Sequence, residues 1–495
     1  VAPHHYPGID VLKTGVHKAK KFISLSKEIL GIEITTHNNS VANLVCGVGQ
    51  RVLYVDSKLN LTPSCEAGIF ESQLASYRRT IAKTIGFQSS VGYEEFLTYY
   101  KGRRLAVYGR AVDGLALSPL QTRDANLKTF VKSEKLNLQR KANPVPRVIQ
   151  PRSPRYNVEL GRFLRPIEKK IYHAIDDLFG SPTIMSEYNS YEQAKHIKAK
   201  WDTFVNPVCV GMDASRFDQH VSTEALKFEH SLYDMIFHSR ALRRILALQL
   251  VNTGFAEASD GKFRYVKRGS RMSGDMNTSL GNKIIMCLMS KRYLSTLAYR
   301  VEFLNNGDDC LLILEKKHLF VLKSLREYYL RYGFNIITET PVSEFEQIEF
   351  CQTKPLLGTG VYRMVRNFQT AIPKDLTCLN LGYCENEYRA WLGAVADCGL
   401  TTCLDIPVMG EFYSMLKRLS VPGKVSNDDD ISYRVKISKS QHTPGNIVTS
   451  ESRYSFWLSS GISPDLQVVL ENYFSSIVWG CDNRQIIEII SYLFK

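Results

Sequence analysis

Apolar and polar positions alternate along this chain with two different periods, and the changes of period mark out its parts. Between Glu71 and Ile85 the apolar residues Leu74, Ala75, Ile81 and Ile85 recur at helical spacing, which predicts an amphipathic helix. A second helix is predicted from Glu159 to Leu178. Pro207-Val-Cys-Val-Gly-Met is a short apolar run ahead of Asp213, so Val208 to Met212 reads as a buried strand ending at an acid. Val301 to Leu304 and Cys310 to Leu314 flank Asn305-Asn306-Gly307-Asp308-Asp309, the pattern of a hairpin with these residues at its turn. Helices are also expected from Lys283 to Tyr299, after a glycine-containing loop, and from Lys316 to Arg331.

On a coarser scale, residues 206–370 alternate strand-like and helix-like stretches, as a mixed sheet backed by helices does. Tyr332 and Phe334 read as core residues of that region. From about 100 to 205 the chain is basic and punctuated by proline, and beyond 371 it becomes mainly helical with loops. Residues 420–455, rich in Ser, Asp, Lys and Pro, predict a long loop. There is no internal repeat.

Composition adds a partner class. The 495 residues are 44% hydrophobic and 23% charged, which fits a globular protein with several packed regions. The net charge is +14, and residues 121–170 concentrate it, with 13 Lys or Arg against 4 Asp or Glu. Pro144, Pro146, Pro151 and Pro154 interleave with these cations, so the backbone there is extended or turning rather than helical. A rigid, arched basic loop suits phosphate contact better than helix decoration does. The 11 cysteines show no Cys-x2-Cys pair, which argues against a zinc site and against a disulfide framework; Cys310 and Cys351 read as small packing residues. No apolar run reaches the roughly 18 residues that a membrane span needs. The chain begins at Val1 rather than Met, as expected of a fragment or a processed product.

Three short segments carry the chemistry: Asp213-Ala-Ser-Arg-Phe-Asp218, Ser273-Gly-Asp-Met-Asn-Thr-Ser-Leu-Gly-Asn282 and Gly307-Asp308-Asp309. Phosphoryl transfer with two metals needs acids from separate strands converging on one point, and these segments supply them. Singly, each has a plainer reading: an isolated Asp caps backbone, and Gly-Asp-Asp is a common turn. Jointly, they resemble motifs A, B and C of the viral RNA-dependent RNA polymerases. Phe130-Val-Lys-Ser-Glu-Lys135, Pro146-Arg-Val-Ile-Gln-Pro-Arg-Ser-Pro154 and Ile348-Glu-Phe-Cys-Gln352 resemble segments of the tombusvirus and carmovirus enzymes. The resemblance covers roughly residues 90–370.

That resemblance implies an α+β fold, the closed right hand. It has fingers, a palm with a ferredoxin-like antiparallel sheet backed by helices, and a mainly helical thumb. Residues 1–100 would be an N-terminal extension with fingertips, 101–205 the fingers with the basic motif F loop, 206–370 the palm with a fingers insertion near 235–272, and 371–495 the thumb. Asp213 and Asp308 would bridge two Mg2+ ions, for which Mn2+ substitutes, with Asp309 as an accessory acid. Asp218 and Asn282 would sense the ribose 2′-hydroxyl, with Ser273 and Thr278 completing their network. Gly274 and Gly281 would let the backbone approach template or nucleotide. Arg147 and one of Lys132 and Lys135 would meet the triphosphate, and Arg152 and Arg155 would line the RNA path or serve a structural role. Cys351 and Lys354, in a motif E hairpin, would grip the primer end. Lys316, Lys317 and Lys323 all stand as candidates for protonating pyrophosphate.

The implied activity is template-directed RNA synthesis from ribonucleoside triphosphates for a plus-strand RNA virus, started without a primer. Its partners would be single-stranded template, product duplex, a viral auxiliary replication protein and host factors. It would work in the host cytoplasm at membrane-bound replication complexes, anchored through segments that this chain lacks. Two alternatives remain beside it. A reverse transcriptase would exclude the 2′-hydroxyl, against the preference that Asp218 with Asn282 implies. A catalytically silent RNA-binding scaffold would not need every carboxylate kept.

Overall fold

A computed structural model describes residues 6–379, 384–423, 425, 431, 434–435, 444–480 and 490–494. Its centre is a four-stranded antiparallel sheet in the order Val301–Asn306, Asp309–Glu315, Pro207–Ala214, Ile336–Thr338. The period-two pattern of the strands divides the sheet into two faces. Val208, Val210, Met212, Cys310, Leu312 and Leu314 enter a core shared with helices Ile69–Ile85, Pro154–Phe179, Thr223–Phe237 and Thr278–Leu294. Tyr332 and Phe334 lie in that core, as expected. Cys209, Leu311 and Ile313 pack on the other face, against helix Ser190–Trp201 and the hairpin Thr353–Leu357 with Tyr362–Arg366.

Several predicted boundaries move, each for a local reason. The second helix begins at Pro154 rather than Glu159, because Ser153 caps it by accepting from the Tyr156 amide and Pro154 occupies its first turn. Proline there starts a helix instead of punctuating a loop. The helix expected from Lys283 runs from Thr278 to Leu294, so Asn282 sits on a helix and not in the loop before it. The stretch from Lys316 to Arg331 is a 3-10 segment, Lys316–Ser324, followed by the α-helix Leu325–Arg331. The loop expected over 420–455 lies largely outside the described residues, and its end is helical, Ser450–Ser460.

A second sheet has five strands in the order Leu12–Lys13, Gly261–Arg268, Val251–Ala258, Leu127–Val131, Val148–Ile149. The hairpin 251–268 leaves the neighbourhood of the central sheet to join it, pairing in parallel with Leu127–Val131. The N-terminal region touches distant parts of the chain. Leu12–Lys13 edges the five-stranded sheet, Ile23–Ser24 pairs with Thr377–Cys378, and Ile34–Thr35 pairs with Leu136–Asn137. The C-terminal helices Glu385–Cys403, Met409–Leu419, Ser450–Ser460 and Pro464–Ser476 share a separate core around Trp391, Phe412 and Phe474. Among the described residues, no helix is long and apolar enough to cross a membrane.

Candidate active site

Strand pairing brings the acids together. Asp213 and Asp309 are direct register partners, so their side chains share one face of the sheet. Gly307 and Asp308 form the two-residue turn between Asn306 and Asp309, with Gly307 at φ +88°. A left-handed first position is what a tight hairpin of this twist requires. Buried Asn305 pins the turn: its Nδ2 donates to the Gly307 carbonyl at 2.7 Å and its Oδ1 accepts from the Gly307 amide at 3.0 Å. Asp308 is thereby held at the tip, open to water.

All three carboxyls are pushed above the ordinary range. Burial raises Asp213, although Lys141 opposes it; burial and then Asp213 raise Asp308; burial, Asp308 and Asp213 raise Asp309. These are hard oxygen donors repelling one another in a partly dry site, and a divalent cation fits that donor set. Among the described residues, no three His, Cys, Asp or Glu close a ready-made metal cage. Glu339 joins this acidic surface unforeseen. Its carboxylate lies across Gly211, where a Cβ would come within 2.2 Å of Oε2, and burial, Glu349, Asp309 and Asp213 raise its pKa. The glycine inside an apolar strand was the one available signal for that close approach.

The second group meets around Asp218. Asn282 Nδ2 donates to its Oδ1 at 2.8 Å, and the Ser273 hydroxyl donates to its Oδ2. Burial still raises this carboxyl above its usual value. Beneath the pair lies a polar network that motif spacing does not reveal. Arg271 Nε donates to Asn282 Oδ1 at 3.0 Å, which fixes the amide so that its nitrogen faces Asp218. Arg271 is ion-paired with Glu229, and both side chains are 0% exposed. Glu229 also accepts from Asn277 Nδ2 and from the Tyr233 hydroxyl, each at 2.7 Å.

Three residues of the second motif take other roles than expected. A Cβ at Gly281 would meet Arg271 at 2.2 Å and Glu229 at 2.4 Å, so this glycine makes room for the buried ion pair. The Thr278 hydroxyl donates to the Met272 and Asp275 carbonyls, both at 3.0 Å, and closes the loop instead of joining the Asp218 network. Gly274, at φ +124°, packs against the backbone of Gln150 and Pro151, and Ser273 accepts from the Gln150 amide at 2.7 Å. The loop ahead of helix Thr278–Leu294 is therefore tied to the basic loop rather than open to RNA at this glycine.

Within the basic loop, Lys132 and Arg147 converge. Glu134 binds both, at 3.1 and 3.0 Å, and the Lys132 amide donates to the Arg147 carbonyl at 2.8 Å. Arg147 is 55% exposed and its charge reaches Asp308. Arg51, from the N-terminal region, adds to this cluster; burial, then Arg216 and Arg147, push its guanidinium down to about 10. Lys135 turns away, its Nζ 5.0 Å from the centre of the Trp391 ring.

Arg152 and Arg155 correct the expectation of RNA contact. Arg152 is 0% exposed and binds Asp275 at 2.5 Å, the Ala125 carbonyl at 2.7 Å and Asn252 at 2.6 Å. Arg155 is held by Asp124 at 3.2 Å and by the Ser118 and Pro119 carbonyls. Desolvating an arginine requires such partners, and these leave no donor for phosphate on Arg152. In the hairpin, the Cys351 sulfur accepts from Asn306 at 3.2 Å, and burial and Asp309 push its thiol up to about 12. Lys354 donates to the Ser459 carbonyl at 3.0 Å, reaching the C-terminal helices.

Comparison with known proteins agrees with this geometry. The family model for viral RNA dependent RNA polymerase matches residues 11–481, so the similarity extends well beyond the central motifs to both ends. The RNA-directed RNA polymerase of Maize chlorotic mottle virus (isolate United States/Kansas/1987) is 42% identical over 467 residues, 93% of this chain and 48% of that protein. That of Tobacco necrosis virus (strain A) is 41% identical over 487 residues, 96% of this chain and 67% of that protein. That of Turnip crinkle virus is 37% identical over 463 residues, covering 91% and 59%. The chain thus spans about half to two-thirds of the length of these relatives. It belongs to the viral RNA-dependent RNA polymerase family, among the polymerases of tombusviruses and carmoviruses.

Proposed function

We propose that this chain is the catalytic part of an RNA-directed RNA polymerase that joins ribonucleoside triphosphates along a viral RNA template. The observation that carries the reading is the juxtaposition of Asp213 and Asp309 across one ladder, with Asp308 at its tip and the Asp218–Asn282 pair nearby. On this reading the four-stranded sheet is the palm, spanning 206–370. The five-stranded sheet and basic loop are the fingers, within 101–205 plus the insertion near 235–272. Residues 371–495 are the thumb, and 1–100 supply the extension and fingertips.

Asp213, Asp308 and Asp309 would hold two divalent ions, Mg2+ or Mn2+. Such ions lower the pKa of the attacking 3′-hydroxyl and neutralise the departing pyrophosphate. The chain's own residues do the rest. Arg147 and Lys132 receive the triphosphate, exchanging Glu134 for phosphate oxygens, the arginine as a planar fork and the lysine as a point charge. Asp218 accepts a hydrogen bond from the ribose 2′-hydroxyl while Asn282, its amide oriented by Arg271, holds that carboxylate in place. A deoxyribonucleotide forgoes that hydrogen bond in a partly dry site, which selects against it. Synthesis would begin without a primer, at membrane-bound replication complexes in the host cytoplasm, with an auxiliary viral protein and host factors.

The test is incorporation of labelled nucleotide on single-stranded RNA with Mg2+ or Mn2+, wild type beside Asp308→Asn. Metal-dependent synthesis from ribonucleotides, lost in Asp308→Asn while RNA binding persists, is expected. Synthesis retained by Asp308→Asn refutes the assignment of that carboxylate.

A further inference from the structure

One face of the five-stranded sheet carries, beyond Lys132 and Arg147 at its end, side chains to which the candidate active site gives no role. Its inner face packs Val131, Val148, Ala256, Phe263 and Tyr265 against Leu44 and Val48 of the N-terminal region. Alternation sends the intervening residues outward, and all of Lys128, Phe130, Phe255, Lys262, Arg264 and Arg268 are exposed. Phe130 is 40% and Phe255 46% exposed, a poor environment for two large rings on a sheet open to water.

Register shows how these side chains are ordered. Lys128, Phe255 and Arg264 form a single row across three strands, so the ring of Phe255 is flanked by a cation on each side. Phe130 lies on the strand next to Phe255, two residues further along, a diagonal of about 7–8 Å. Among the described residues, none of Lys128, Lys262, Arg264 and Arg268 makes an ion pair. Glu257, opposite Lys262, is the one acid in the three strands. Unpaired cations of one sign beside open aromatic rings cost stability in the free protein and fit a polyanion that also carries flat apolar rings. The same alternation places Lys132 on this face, with Arg147 across from it, so the surface runs on to Arg147, whose charge reaches Asp308.

We propose that this face binds single-stranded RNA outside the candidate active site, its bases stacking on Phe130 and Phe255 and its phosphates met by Lys128, Lys262, Arg264 and Arg268. Stacking on sheet aromatics tolerates any base, and duplex RNA hides its base faces, so the surface prefers unpaired strand. The inference rests on the reading that this chain copies RNA, and its test separates the two.

Anisotropy titrations of the full chain would use a labelled RNA oligonucleotide, single-stranded and as duplex, and anionic phospholipid vesicles as a third probe. Phe130→Ala with Phe255→Ala is expected to weaken single-strand binding by roughly tenfold per phenylalanine, with duplex binding unchanged. Arg264→Glu with Lys128→Glu is expected to weaken it further and to flatten its salt dependence. Synthesis on a template too short to reach beyond the catalytic cleft should match wild type, and synthesis on a long template should fall. Failure of all variants, wild type included, on the short template would fail the polymerase reading itself. Unchanged single-strand affinity in the phenylalanine pair overturns this proposal, as does an equal loss for single strand and duplex. Loss confined to vesicle binding overturns it too. Since all substituted side chains are exposed, unchanged thermal unfolding is the control for folding.

Discussion

Gly281→Ala tests the support beneath the Asp218–Asn282 pair, proposed above to select the ribose. The added methyl would sit 2.2 Å from the Arg271 guanidinium and 2.4 Å from a Glu229 oxygen. Neither neighbour has room to yield, since both side chains are fully buried and Glu229 is also held by Asn277 and Tyr233. Overpacking of this kind costs about 1–3 kcal/mol, and complete rupture of a buried ion pair about 3–5 kcal/mol. The unfolding free energy from denaturant titration should therefore fall by an amount within that span. The functional consequence comes from Asn282. If Arg271 shifts, nothing fixes the amide, and its bond to Asp218 loses orientation. A hydrogen bond to a charged group is worth about 1.5–3 kcal/mol, so discrimination between ribo- and deoxyribonucleotides should drop roughly tenfold to a hundredfold. The assay is the ratio of kcat/KM for matched ribo- and deoxynucleotides. Arg271→Lys, which keeps the charge but not the second nitrogen that reaches Asn282, should shift the ratio in the same direction with less loss of stability. Wild-type stability and ratio in Gly281→Ala, or a shifted midpoint with an unchanged ratio in both variants, would refute the reasoning.

Glu134→Gln removes the carboxylate that occupies Lys132 and Arg147; exposed pairs are worth about 0.2–1 kcal/mol, so nucleotide KM should fall by at most about fivefold with kcat unchanged. A rise in KM would mean that Glu134 positions the two cations. Arg152→Ala should destabilise the fold by about 3–5 kcal/mol and leave the RNA affinity of the folded protein intact, as equilibrium unfolding and RNA titration would reveal. Burial holds His37, His196, His220 and His230 below the ordinary imidazole value. The unfolded chain then takes up protons that the folded one refuses, so stability is complete above about pH 6.5 and falls as pH drops below it. His230→Asn should reduce that slope in urea midpoints measured across the window; an unchanged slope would place the proton uptake elsewhere.

The parts of this protein that were legible in its sequence are those set by local rules. The apolar run before Asp213 and the Gly-Asp turn are fixed by a period of two and by one left-handed glycine, and both stand where the pattern put them. Helix ends were less legible: Pro154 looks like a loop residue until the Ser153 cap is seen, and Thr278 starts its helix with no side-chain cap ahead of it. Least legible was the network under Asp218. Arg271, Glu229, Tyr233 and Asn277 are ordinary polar residues at no fixed spacing, and only the fold shows that they are buried against one another. Arg152 failed for the same reason: a basic residue in a basic loop reads as a phosphate ligand, and only its contact with Asp275 shows otherwise.

That network has a physical rationale that a hydrophobic support would not supply. An apolar layer beneath helix Thr278–Leu294 would be at least as stable, since buried ion pairs seldom repay their desolvation. It would leave the Asn282 amide free to present either its oxygen or its nitrogen to Asp218, and an oxygen facing a carboxylate repels it. Arg271 removes that freedom by donating to one amide atom only, and Glu229 balances the charge so that Arg271 can be buried there. Stability is exchanged for a single orientation. The same logic explains why Gly281 tolerates no side chain: its constraint comes from the pair behind it.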